Sequence, residues 1–347
     1  MAWTADVVSA AGSDSPRTAG GGPGLIQVGM SSPTPAAPRS SPALAYLMLC
    51  LVMLCWAGNA IVGRAVRAEV GPFTLAFVRW SGALLLIAPL GARHLAGDLP
   101  ALRAHWRTVL LLGLVGVAAF NALLYSGLRH TTATNGLLLQ ALIPPGVLLF
   151  AALLAPRGRR GAPPRGQVPG VLLSTLGVAV IVFRGDLGAL AALRFGLGDG
   201  LVLCAVLAWS LYTALLPRRP AVHPLSFLSV SFAIGALAMA PPAAAEWISG
   251  RGVAWNADVA GAFAYVAVFP SAIAYFLYNR AVSVLGPGPA GQTISLLPVF
   301  GAGLASAMLH EPLRGWHLAG IALILAGLAV TALGARRRPE PAATMAR

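Results

Sequence analysis

The chain alternates about ten long apolar stretches with short polar connections. Each stretch is close to the ~20 residues that a helix needs to cross the hydrocarbon core of a bilayer. In lipid no water is present to bond backbone N–H and C=O groups, so such stretches are restricted to helices that satisfy those groups internally. The expected spans are 42–62, 72–91, 108–128, 134–155, 168–184, 200–217, 225–245, 258–279, 289–309 and 315–335. Composition supports this reading. With 57% apolar residues, 10% charged residues and a mean hydropathy of +0.77, 347 residues carry too little polar surface to coat a water-soluble globule. The expected fold is an all-α membrane protein, and the lipid bilayer is its first partner.

Residues 1–41 are rich in Ala, Gly, Ser and Pro and have no sustained apolar period, so they read as a disordered cytoplasmic tail. Their apolar patch, Leu25 to Met30, is shorter than the ~7 residues of a signal-peptide core, and the stretch from Pro42 to Val62 reads as a retained first span. Residues 336–347 form a second, basic cytoplasmic tail.

Every basic residue is an arginine, and the formal charge is +14. These arginines are scattered through short connections rather than gathered in a patch with interleaved aromatics, so they read as topology signals and not as a nucleic-acid surface. The tails and the even-numbered connections hold sixteen of them, among them Arg157, Arg159, Arg218, Arg219 and Arg280, whereas the opposite face holds seven. The positive-inside rule then places both termini in the cytoplasm. Cys50, Cys55 and Cys204 lie in apolar stretches and read as small packed hydrophobes. No metal-ligand spacing is present: His310, Glu311 and His317 lack the one-turn separation that aims two imidazoles at one ion. No cofactor motif appears, and neither does a Ser-His set or a buried Asp pair, so enzyme chemistry is not expected.

Sliding the chain on itself by about 150 residues brings Trp56 near Trp209, Pro72 near Pro224, Gly136 onto Ala290 and Pro144 onto Pro298. Gly170 and Gly177 match Gly320 and Gly327, both pairs seven apart. Two halves, 42–184 and 200–335, each hold five expected spans. Five is odd, so the second half enters the membrane in the opposite sense to the first. That is the inverted pseudo-symmetry that allows inward-open and outward-open states to exchange.

The run from Pro270 through Tyr275 to Ala281, then Gly286, Leu296 to Phe300, Leu309-His310-Glu311 and Gly320 to Gly327, resembles the long signature of the EamA branch of the drug/metabolite transporter superfamily. In the first half, Trp56 to Asn59, Pro72 with Arg79, and Thr134-Asn135-Gly136-Leu137 followed by Pro144 resemble the matching pieces. The first-half position of the family's Leu-Gly-Glu is taken by Ala155-Pro156-Arg157, so Glu311 has no first-repeat counterpart. The resemblance covers 42–335. It implies ten spans in two inverted repeats, a central cavity fed by the first, third, fourth, sixth, eighth and ninth spans, and export of small metabolites such as amino acids across the inner membrane.

Arg79 lies seven residues past Pro72, about 10 Å into the membrane from the outer end. An arginine at the centre of a span costs about 2.5–3.5 kcal/mol on insertion scales, which favours a wet cavity or an anionic group. The competing reading is that it snorkels to the interface or holds the carbonyl of a neighbouring helix. Asn59, Asn121, Asn135, Gln140 and Gln292 are amides within or beside spans, suited either to inter-helix bonding or to lining a substrate cavity. Trp56, Tyr125, Trp209, Tyr212 and Tyr275 supply aromatic walls or interface anchors, with Trp56 and Trp209 set apart as repeat mates. Pro144, Pro145 and Pro298 interrupt the fourth and ninth spans and release the carbonyls of Gln140, Ala141 and Ile294, as hinges or as packing kinks. Gly286, Gly288 and Gly291, with Pro287 and Pro289, promise a close helix approach. Glu246, Asp258 and Glu311 fall at span ends and read as solvated charges. The expected function is transport of a small-molecule substrate. The alternatives are a carrier or flippase for lipid-linked or amphiphilic cargo, and a non-transporting receptor or scaffold.

Overall fold

The computed structural model describes residues 41–66, 68–131, 133–155, 164, 166–186, 188, 196–309 and 312–336. Residues 1–40 and 337–347 of the two tails, and Glu311, lie outside them. Every regular element among the described residues is helical: α1 (Pro42–Ala65), α2 (Pro72–Ala104), α3 (Trp106–Gly113), α4 (Phe120–Leu128), α5 (Ala133–Gln140), α6 (Ile143–Leu154), α7 (Gln167–Val182), α8 (Leu197–Leu215), α9 (Pro224–Ile248), α10 (Ala257–Ala267), α11 (Ala274–Leu285), α12 (Pro287–Gln292), α13 (Leu297–Leu309) and α14 (Gly315–Arg336). Six-residue π-helical segments, Leu114–Ala119 and Val268–Ile273, join α3 to α4 and α10 to α11. Among the described residues seven helical rods are long and apolar enough to cross a membrane, including Pro42–Gly63, Trp106–Leu128 and Ala257–Leu285. Leu138–Leu154 and Gln167–Val182 are shorter apolar helices.

Local chemistry sets the helix starts. Ser41 accepts from the Leu44 N–H at 3.2 Å, with Pro42 at the first helical position. Proline opens α2, α9 and α12 in the same way, where its missing N–H costs no intrahelical bond. α2 runs well past the expected end at 91 and, at 33 residues, is about 50 Å long. Its last turns hold Arg93, His94 and Asp98 and lie beside the start of α9. There the Asp98 carboxylate accepts from the His223 N–H at 3.0 Å and the rings of His94 and His223 stack 3.7 Å apart.

The expected interruptions at proline are full breaks rather than kinks. α5 stops at Gln140 and α6 restarts at Ile143, with Pro144 in its first turn. A 3₁₀ turn, Thr293–Leu296, separates α12 from α13, which carries Pro298 in its first turn. The released Ala141 carbonyl meets the Thr175 hydroxyl at 3.5 Å, and the Ile143 carbonyl accepts from Ser210 at 3.2 Å.

Corresponding helices of the two halves pack against each other. α7 lies along α14 and α2 along α9. The glycines expected from the repeat meet in antiparallel register: a Cβ on Gly177 would come within 2.6 Å of the Gly320 carbonyl, and one on Gly170 within 2.5 Å of the Gly327 carbonyl. Backbones at that distance require glycine on both sides. Several other contacts have a counterpart in the second half. α1 packs on α11 and α13, while its counterpart α8 packs on α4 and α6. α9 packs on α3 and the first π segment, and α2 on α10 and the second. At the eighth-to-ninth connection Gly286 has φ +82°, which glycine adopts without a Cβ penalty, and Gly291 sits against Val147 of α6.

Candidate functional site

The two π segments occupy equivalent places in the two halves, and each exposes one carbonyl to the other half. In a π turn an N–H bonds five residues back instead of four, so one carbonyl loses its α-helical partner. Phe120 N–H bonds Val115 instead of Gly116, and the Gly116 carbonyl accepts from the Tyr275 hydroxyl at 2.8 Å. Ala274 N–H reaches Phe269 instead of Pro270, and the Pro270 carbonyl accepts from Trp56 Nε1 at 3.0 Å and from the Arg79 guanidinium at 3.1 Å. Pro270 has no N–H, so the Val266 carbonyl also loses a backbone donor, and the Ser271 hydroxyl takes it at 2.7 Å. Helices broken in this way release polar atoms in the middle of the bundle, where buried polar groups need partners.

Arg79 is 4% exposed, and each of its three nitrogens donates to protein. Nε donates to Ser271 Oγ at 2.6 Å, one terminal nitrogen to Asn121 Oδ1 at 3.3 Å and to the Tyr125 hydroxyl at 3.5 Å, and the other to the Pro270 carbonyl. The guanidinium carbon lies 4.6 Å from the Trp80 ring centroid. In this conformation Arg79 therefore holds the carbonyl of a neighbouring helix, the second of its two sequence readings. Asn121 is fixed in turn by donating to Val117 of its own helix at 3.0 Å.

Next to this polar knot the aromatic side chains form one cluster. Trp56 and Trp209 meet edge to face at 5.1 Å, and Trp209 also lies 4.9 Å from Phe120, 5.2 Å from Tyr212 and 5.7 Å from Tyr275. Edge-to-face geometry at these separations is favourable for ring quadrupoles. Tyr275, Tyr278 and Asn279 share a face of α11 by i, i+3, i+4 spacing and are all buried. Tyr212 donates to Asn279 Oδ1 at 2.8 Å, and Thr213 pairs with Tyr278 at 3.0 Å. Sequence reasoning found Tyr275 but passed over Tyr278 and Asn279, which that helical spacing could have supplied, and over Ser271 and Trp80.

Rings fill the place where the resemblance implies a cavity. Open volume lies further along α11: a cavity of about 400 Å³ between the α8–α9 connection and the end of α11, lined by Leu216, Arg219, Val222, Asn279, Val282 and Pro287 among others.

Other expected site residues fall elsewhere. Gln292, fully buried, donates to Ser174 of α7 at 3.0 Å, and Gln140 bonds its own helix at Gly136, so these two amides belong to the junction between the broken helices. Asn59 is half-buried on α1, and the side chain of Asn135 lies outside the described residues. Glu246 overturns the expectation of a solvated charge. It is 6% exposed and caps the start of α2, accepting from Phe73 N–H at 3.2 Å, Thr74 N–H at 2.8 Å and Thr74 Oγ1 at 2.9 Å. The physical reason is that the first N–H groups of a helix have no intrahelical partner and favour a carboxylate. Asp258 is exposed in the first turn of α10.

A helical bundle with interrupted helices and buried polar groups between its halves is an architecture that membrane transport proteins use. The family model of the EamA-like transporter family matches residues 43–183 and again 196–333, and the chain belongs to that family. It is similar to the uncharacterized transporter YyaM of Bacillus subtilis, 27% identical over 244 residues that cover 69% of this chain and 77% of the relative. An uncharacterized transporter of Archaeoglobus fulgidus is 28% identical over 289 residues, 82% of this chain and 96% of that one. A solved crystal structure superposes with a TM-score of 0.69 at 22% identity, covering 86% of this chain and 99% of the other, a likeness of fold.

Proposed function

We propose that the chain carries a small organic metabolite, of the amino-acid or organic-acid kind, out of the cytoplasm by alternating access between two inverted five-helix halves in the inner membrane. The observation that carries the reading is the exchange of contacts between halves. Each π segment presents a carbonyl, at Gly116 and at Pro270, to side chains of the opposite half. A carrier needs two conformations of similar energy, and near-equivalent halves that swap roles provide them.

With both termini placed inside by the arginine bias, Arg79 and the Pro270 carbonyl lie nearer the outer face and close it, while the 400 Å³ cavity beside Arg219 and Asn279 faces the cytoplasm. The aromatic cluster is then the floor that cargo reaches before the halves rock. The α5–α6 and α12–α13 breaks, at Pro144, Pro145 and Pro298, serve as hinges because the missing helical bonds leave few backbone contacts to break.

The test is untargeted profiling of cytoplasm and medium in cells expressing the chain, against cells expressing the Trp56→Ala/Trp209→Ala variant at matched membrane abundance. Selective movement of one compound class to the medium with the wild type alone is expected. Identical pools in the two strains would overturn the proposal.

A further inference from the structure

We infer that the cavity beside Arg219 is a carboxylate-binding site, so that the cargo is a small organic anion with one carboxylate and an apolar body. This deepens the transport reading and rests on it for direction.

Two side chains of the cavity wall carry donors without acceptors among the described residues: Arg219 at one terminal guanidinium nitrogen, and Asn279 at Nδ2. Asn279 is 2% exposed, and its amide is oriented from behind because Oδ1 takes the Tyr212 hydroxyl at 2.8 Å. The end that remains is a pure donor. Arg219 lies with its guanidinium 5.7 Å from the Phe227 ring centroid. Burial, and the nearby charge of Arg280, destabilise its cation, whereas an arginine stays protonated in proteins. A half-buried guanidinium that feels a second cation and keeps an unused N–H is relieved by an anion, and a carboxylate fits its fork. The rest of the wall, Leu216, Val222, Val282 and Pro287, suits a hydrocarbon body. A volume of about 400 Å³ accepts a molecule of metabolite size. Arg79 is less suited to this role, because each of its three nitrogens already donates to protein.

The experiment uses the purified full-length chain in detergent, titrated calorimetrically with benzoate and with its neutral counterpart benzamide. Saturable heat with benzoate is expected, with benzamide weaker by about tenfold or more, since it lacks the charge that the guanidinium pairs. Arg219→Gln should abolish the benzoate heat. Arg219→Lys should weaken it about tenfold, by losing the fork while keeping the charge. Asn279→Asp should abolish it by setting a carboxylate against the ligand. Gel filtration checks each variant; if Arg219→Gln fails to elute as the wild type does, Arg219→Lys carries the test. No benzoate heat, equal binding of benzamide, or undiminished binding in the Arg219 variants overturns the site. Movement of benzoate across proteoliposomes separates the two readings. Arg219-dependent binding without movement keeps the site and overturns transport, while export of another cargo without benzoate binding keeps transport and overturns the site.

Discussion

Arg79 and Trp56, on two different helices of the first half, donate to one acceptor, the Pro270 carbonyl of the second half, at 3.1 and 3.0 Å. Its equivalent in the first half, the Gly116 carbonyl, takes Tyr275 at 2.8 Å. These bonds tie the halves together around the aromatic cluster, so the proposed alternation between two states has to break them.

Arg79→Lys keeps the charge but cannot serve Ser271, Asn121 and Pro270 at once. Under the proposed alternation the contact at Pro270 should loosen and the side it closes should open more often. In a background with Cys50→Ala and Cys204→Ala, maleimide should label the buried Cys55 about tenfold faster, which corresponds to about 1.4 kcal/mol in the opening equilibrium. Unchanged labelling would mean that Arg79 does not hold the closed state.

Tyr275→Phe leaves the ring in place and strands the Gly116 carbonyl in a dry interior. An orphaned buried acceptor costs about 1–3 kcal/mol. The thermal midpoint in detergent should fall, and it should fall further than for Tyr125→Phe, whose contact with Arg79 is the long 3.5 Å one. Equal midpoints would place Tyr275 outside the contact between the halves.

Glu246→Gln keeps the shape of the α2 cap but replaces an acceptor oxygen with an NH₂ that faces donors. Hydrogen bonds to charged groups contribute about 1.5–3 kcal/mol. A loss of about 2 kcal/mol is expected in denaturant titrations, and Thr74→Val, which removes one of three donors, should cost about 1 kcal/mol. In a double-mutant cycle the two losses should be strongly non-additive; additivity would deny the contact.

Gly327→Val directs a branched side chain at α7, where a Cβ alone already meets the backbone of Ser174 at 2.7 Å. The α7–α14 pair should separate, with an overpacking penalty of about 1–3 kcal/mol or more and a sharp drop in membrane abundance. Gly301→Val, at a site open to its surroundings, is the control and should be tolerated.

Much of this was legible in the residues because it is local. A span is recognised from its own apolar length. The matched glycine pairs were legible only as a mark of the repeat, and their meeting between α7 and α14 came from packing. The prolines at 144 and 298 announced helix breaks, since proline removes a bond wherever it falls in a helix interior. The extension of α2 to Ala104 was missed because its last turns are too polar for a hydropathy reading, and their place beside His223 comes from packing. Glu246 looked like a solvated charge because its ligands, the N–H groups of Phe73 and Thr74, are more than 170 residues away in sequence.

The sequence by itself determined that this chain is a helical membrane protein built from two similar halves, since apolar stretches of about 20 residues satisfy their backbone in lipid as helices and a repeat survives as a register of Trp, Pro and Gly. Only the tertiary structure decided what Arg79 does and where donors remain free. Its acceptor, the Pro270 carbonyl, lies 191 residues away and is released by a π turn, a property of backbone geometry that no residue identity declares. The same holds for Asn279, whose amide becomes an unpaired donor only once Tyr212 has occupied its oxygen.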